Sequence, residues 1–76
     1  MTSESLAQFV ARSRKSRKLT QPQLADKAGV GLRFVRELEA GKATLRMDKV
    51  NDVLRLFGHE LGPVQMDRNT STDANG

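Results

Sequence analysis

LTQPQLADKAGVGLRFVRELEAGK, residues 19–42, is two short helical patterns separated by a single Gly-Val-Gly turn. Thr20-Gln21-Pro22-Gln23 has the form of a capping box. The Thr20 hydroxyl can accept from the N–H of Gln23, whose side chain reaches back, while Pro22 occupies the first turn, where its missing N–H costs little. The helix that starts there buries Leu24, Ala25 and Ala28 and stops at Gly29, because glycine adopts the left-handed conformation that closes a helix. The next helix begins after Gly31 and runs eight residues without a breaker. Within it Val35 and Leu38 form an inward pair at i, i+3, with Leu32 one turn earlier at the edge, so Arg33, Arg36, Glu37 and Ala40 face outward. Helices joined by so short a turn cross steeply, and the small Ala25 and Ala28 let them approach closely.

Outward from this pair, the chain divides into two more helices and a tail. From Ser5 to about Arg17, Leu6, Phe9 and Val10 fall on one stripe at i, i+3 and i+4. From Met47, the stripe Met47, Val50, Val53, Leu54 and Phe57 predicts a last helix, with Asp48 in its first turn complementing the dipole and Gly58 ending the run. The expectation is an all-α domain of four to five helices over residues 1–66. After Gly58, the alternation is weak and Gly62-Pro63 interrupts it, since Pro63 cannot donate to a ladder. A short strand over 60–66 is nonetheless expected. The final segment, 67–76, is polar and is expected to be a disordered tail.

Length and charge limit what such a domain can do. A chain of 76 residues buries a low fraction of its surface and is marginal alone, which makes oligomerisation an expectation. Without cysteine it has neither disulfides nor thiolate metal ligands, and His59 has no partner at metal spacing. No Ser/His/Asp or paired-carboxylate constellation exists, so neither an enzyme nor a cofactor is expected. No apolar run approaches bilayer length and the N-terminal stretch lacks the features of a signal peptide, so a cytoplasmic protein with no membrane contact is expected. The balance of 13 Lys+Arg against 9 Asp+Glu, +4 overall, favours a polyanionic partner without identifying it. Five of those cations fall within RSRKSRK, residues 12–18. Localisation signals and polybasic anchors share that composition, but here the run lies inside an amphipathic helix that leads into the capping box.

The stretch resembles the helix-turn-helix core of the XRE family, the lambda-type repressors and Cro, at Leu19, Thr20, Gln21, Leu24, Ala25, Ala28, Gly29, Val30, Val35, Leu38, Glu39, Gly41 and Lys42. The following GKATLRMDKVNDVLRLFGHEL, residues 41–61, is similar to the HipB-like branch, small antitoxin repressors that restrain HipA-type kinase toxins. The resemblance implies a homodimeric repressor of double-stranded operator DNA, with a HipA-like serine/threonine kinase toxin as a further partner. It implies that Leu32, Arg33, Arg36 and Glu37 face base edges, where arginine forks onto guanine O6 and N7 and Glu37 either accepts from cytosine N4 or orients Arg33. It implies that Gln21 clamps a phosphate at a helix N-terminus, with Gln23, Arg17 and Lys18 nearby, and that Lys42 and Arg46 grip the backbone from the loop after the third helix. Arg14 and Glu39 would form a structural ion pair. Leu61, Val64 and Met66 would support a strand lid between subunits. Two departures stand out: Gly31 replaces the usual serine or threonine N-cap, and Glu37 stands where relatives often carry arginine or glutamine. A free-standing regulator without a toxin remains open, as does an RNA-binding or co-activator module of the same fold.

Overall fold

A computed structural model describes residues 4–66 of the chain. Among them are four helices: α1 (Leu6–Ser16), α2 (Gln21–Ala28), α3 (Leu32–Glu39) and α4 (Met47–Arg55). Two open with complete capping boxes. Ser5 and Gln8 reciprocate at α1, as do Thr20 and Gln23 at α2. By contrast, α3 starts at Gly31 with no side-chain cap, a loss of only a few tenths of a kcal/mol by capping scales.

All four helices close in the same way. A residue with positive φ follows each last turn (Lys18, Gly29, Gly41 and Gly58). The next N–H then returns to the carbonyl five residues back: Leu19 to Arg14, Val30 to Ala25, Lys42 to Glu37 and His59 to Leu54, at 3.0–3.1 Å. This is the Schellman closure, which glycine serves without a Cβ penalty. Lys18, at φ 58°, is the one such position among the described residues occupied by a side chain. The Gly58 turn lies beyond the end of α4, which closes at Arg55, slightly before the predicted stop.

These closures bring one residue stripe from each helix to a common centre. Val10, Leu24, Ala25, Val35, Leu38, Val50, Val53, Leu54 and Phe57 are buried, each large side chain contributing about 1.5–3 kcal/mol relative to exposure. Leu6, Phe9, Leu32, Phe34, Leu45 and Leu61 pack around them, half-buried. Phe9 meets Phe57 edge-to-face at 6.3 Å. Helix α3 packs on both α1 and α2, and α2 also touches α4, so α3 is held from behind along its length.

Two expectations change. Met47 belongs to the stripe by spacing but is 72% exposed, because it is the first residue of α4 and no element crosses that end; with Asn51, Leu61, Gly62 and Pro63 it lines a shallow apolar groove. Residues 60–66 carry no strand within the chain. The Leu61 N–H donates to Asn51 Oδ1 at 2.7 Å and its side chain packs on the chain's own core, whereas Val64 and Met66 project outward. The expected tail, 67–76, lies outside the described residues.

Candidate nucleic-acid interface

The surface begins with α3. Val35 and Leu38 are fully buried, and at 100° per residue this turns Arg33, Arg36, Glu37 and Ala40 away from the core. The Arg33 side chain is 91% exposed and Arg36 is exposed. Leu32 lies at the edge of that face, packed partly on the core, and Phe34 is half-buried on the other flank. Such a face offers two planar guanidinium forks on a slender rod, the donor geometry that matches guanine O6 and N7.

Glu37 and Glu39, two residues apart, are handled differently. The Glu39 carboxylate turns inward, where Arg14 Nε and Nη2 reach it at 2.7 and 3.0 Å, with both side chains about nine-tenths buried. Arg14 also donates from Nη1 to the Leu19 carbonyl at 2.8 Å, tying the pair to the α1–α2 corner. Gln21 Nε2 adds a third donor to Glu39 at 3.1 Å. Burial by itself pushes the Glu39 carboxyl up, but the hydrogen bonds from Arg14 and Gln21 and the nearby cations outweigh it and hold the group below its ordinary range. The Arg14 guanidinium is raised in turn, chiefly by its hydrogen bonds to Glu39. Glu37, on the outward side, has only loose neighbours: Oε2 lies 3.4 Å from Arg33 Nε and 3.5 Å from Lys42 Nζ.

The start of α2 is the second part of the surface. Its free N–H groups and dipole favour an anion. Gln21, the first helical residue, is half-buried and oriented by Glu39, which occupies one amide hydrogen and leaves the other free. Gln23 is engaged through its carbonyl oxygen, which accepts from the Thr20 N–H at 2.8 Å, so only its amide hydrogens remain for a ligand. The Gln21–Glu39 bond was not foreseen from sequence; the available signal was that a carboxylate bound bidentately by arginine still has lone pairs to satisfy.

The remaining cations are less uniform than their composition suggests. Lys18 and Lys42 are exposed, though Lys42 shares Glu37. Arg17 lies over the Phe57 ring at 4.7 Å and donates to the Ser13 carbonyl, so its guanidinium covers the core. Arg46 pairs with Asp48 at 2.6 Å, beside the α4 N-terminus. The structure therefore brings Gln21, Arg14 and Glu39 into one network and Arg33, Glu37 and Lys42 into another, and joins Arg17 and Arg46 to neither.

The helix-turn-helix family profile matches residues 10–62, which contain all of α2, α3 and α4. The chain belongs to the XRE-type helix-turn-helix family. That family is one of DNA-binding transcription regulators. The chain is also 53% identical over 45 residues to an uncharacterized HTH-type transcriptional regulator, y4mF, of Sinorhizobium fredii, an alignment covering 59% of each protein. The chain thus spans 59% of the length of the curated relative it matches. Membership accounts for the packing of α2 on α3 across the short Gly29–Gly31 turn. Among the described residues no helix is long and apolar enough to cross a membrane.

Proposed function

We propose that this chain binds operator DNA as a homodimeric transcriptional repressor, with α3 in the major groove. The observation that carries this reading is the division of α3 into a fully buried Val35–Leu38 side and an opposite side where Arg33 and Arg36 stand exposed. Arg33 and Arg36 take guanine edges, Leu32 touches a thymine methyl at the rim, and Glu37 acts beside Arg33. Gln21, Lys18 and Lys42 hold phosphates, with Gln23 contributing its amide hydrogens. Arg17 and Arg46 contact the backbone only by leaving Phe57 and Asp48, and are its weakest members.

The dimer joins through the segment after α4, where Val64 and Met66 are exposed. Two α3 helices would then lie about 34 Å apart, reading half-sites one turn apart or a multiple of it, and a dimer covering a promoter excludes polymerase. The similarity of residues 41–61 to HipB-like antitoxins supports a second role, restraint of a HipA-like kinase; a free-standing regulator is the alternative, and a kinase-like reading frame beside the gene separates the two.

Footprinting on the promoter of its own gene tests the repressor reading. Protection of paired half-sites is expected, and a promoter left unprotected at protein concentrations that saturate duplex DNA contradicts autoregulation. Sedimentation of the chain truncated after Gly58 tests the dimer; a truncated form that dimerises as tightly as the full chain rules out the C-terminal segment.

A further inference from the structure

Glu37 is an unexpected residue on a surface that would meet a polyanion. A carboxylate there repels phosphate and accepts from only the amino groups of bases. Its position is specific, however. One oxygen, Oε2, lies between Arg33 Nε at 3.4 Å and Lys42 Nζ at 3.5 Å. Lys42 is itself held, because its backbone N–H donates to the carbonyl of the same Glu37 at 3.1 Å in the closure of α3. The carboxylate is thus flanked by a fixed turn on one side and meets Arg33 on the other.

The nitrogen that Glu37 meets is the inner one. Arg33 Nε lies at the base of the guanidinium, and among the described residues no hydrogen bond engages the two terminal nitrogens, the pair that forks onto guanine O6 and N7. An arginine braced at Nε can read a base without surrendering its carboxylate, whereas a phosphate out of reach of that conformation is met only by giving the partner up. Both contacts are longer than a charge-assisted hydrogen bond of about 2.7–2.9 Å, and Arg33 is 91% exposed, so the brace biases the side chain without locking it.

We propose that Glu37 is a positioning residue for specificity: it holds Arg33 by Nε in the base-reading direction and makes phosphate contact by Arg33 the less favourable alternative. The inference rests on the DNA-binding reading above. It also resolves the two roles open for Glu37 in favour of orientation over base contact.

The test uses the full chain, a randomised duplex library and titrations across salt. The sequence enriched by the wild-type chain serves as the specific probe and the unselected pool as the random one. Glu37→Gln keeps the shape and removes the charge. Freed to meet one more phosphate, Arg33 should raise affinity for the random pool about fivefold near 0.15 M salt and steepen the salt slope by about 0.9. Affinity for the enriched duplex should change less than about twofold, so the ratio of specific to random binding falls several-fold. In an Arg33→Ala background the same change should leave that ratio unaltered. Asp26→Asn, an equal charge change on the exposed side of α2, should raise both affinities together.

Equal gains on both probes from Glu37→Gln would reduce the residue to bulk charge and overturn the proposal. So would a drop in the ratio that persists without Arg33, which would make Glu37 itself the base reader. If the wild-type chain enriches no sequence and binds duplex without preference, the DNA-recognition reading fails first and the role of Glu37 fails with it.

Discussion

Glu37 and Glu39 are carried by the same helix, each beside an arginine, yet one belongs to the interior and the other to the surface. Glu39 is fixed by three donors from two other helices, at 2.7–3.1 Å. Glu37 touches two cations beyond 3.3 Å, neither of them from another helix. The first network sets where α3 sits relative to α1 and α2; the second sets only how one exposed side chain leans. Roughly half a helical turn separates a constraint on the fold from an adjustment of recognition, and burial is what divides them. An ion pair out of water is costly to break from one side, because the partner left behind is a buried charge, while an exposed pair contributes little net stability.

The largest effect that follows is on stability. Glu39→Ala leaves Arg14 buried with one backbone partner and should destabilise the fold by about 3 kcal/mol, the lower end of the range for breaking a buried pair, read from the urea midpoint. A loss below about 1 kcal/mol would place Glu39 with Glu37 and erase the contrast.

Acid sharpens the same point. Because the folded Glu39 carboxyl is held below its ordinary range, its contribution is fully present above the unfolded value and disappears as pH falls through the folded one. Glu4 and Asp48 are also lowered, chiefly by hydrogen bonds to Arg12 and Arg46, but both lie in exposed pairs. Urea midpoints measured down the acid range should therefore fall steeply in the wild type and less steeply in Glu39→Gln.

A smaller effect tests how the buried network is anchored. Lys18 takes a left-handed conformation and so turns the Leu19 carbonyl back onto Arg14. Lys18→Gly should stabilise the chain by about 1 kcal/mol, since it removes the Cβ penalty at a helix closure where the other three positions are already glycine. Destabilisation instead would mean that the lysine side chain matters to the corner. Smallest of all is Glu37→Ala, expected to alter stability by no more than about 0.5 kcal/mol.

Much of this division was legible in the residues alone. The capping box at Thr20, the stop at Gly29 and the inward Val35–Leu38 pair follow from local chemistry and helical period, and all are present. What periodicity does not say is whether anything covers a stripe, which is why Met47, apolar and in phase, lies in solvent. Nor does composition say which partner a cation will choose. Arg17 sits over Phe57 because the ends of α1 and α4 come together, and Arg46 turns to Asp48 in the first turn of the helix it precedes. The contact of Gln21 with Glu39 joins residues 18 apart on two helices, and only the packing of α2 on α3 creates it.

In the proposed complex Arg33 reads bases while Lys42 grips the backbone, and binding to two DNAs separates those roles. Titration of Arg33→Ala and Lys42→Ala against a selected duplex and a random one should show Arg33→Ala losing about 1–3 kcal/mol of discrimination. Lys42→Ala should weaken both complexes about equally and lower the salt slope by about one. If both variants lose specific and random binding in the same proportion, α3 does not read sequence in the way proposed.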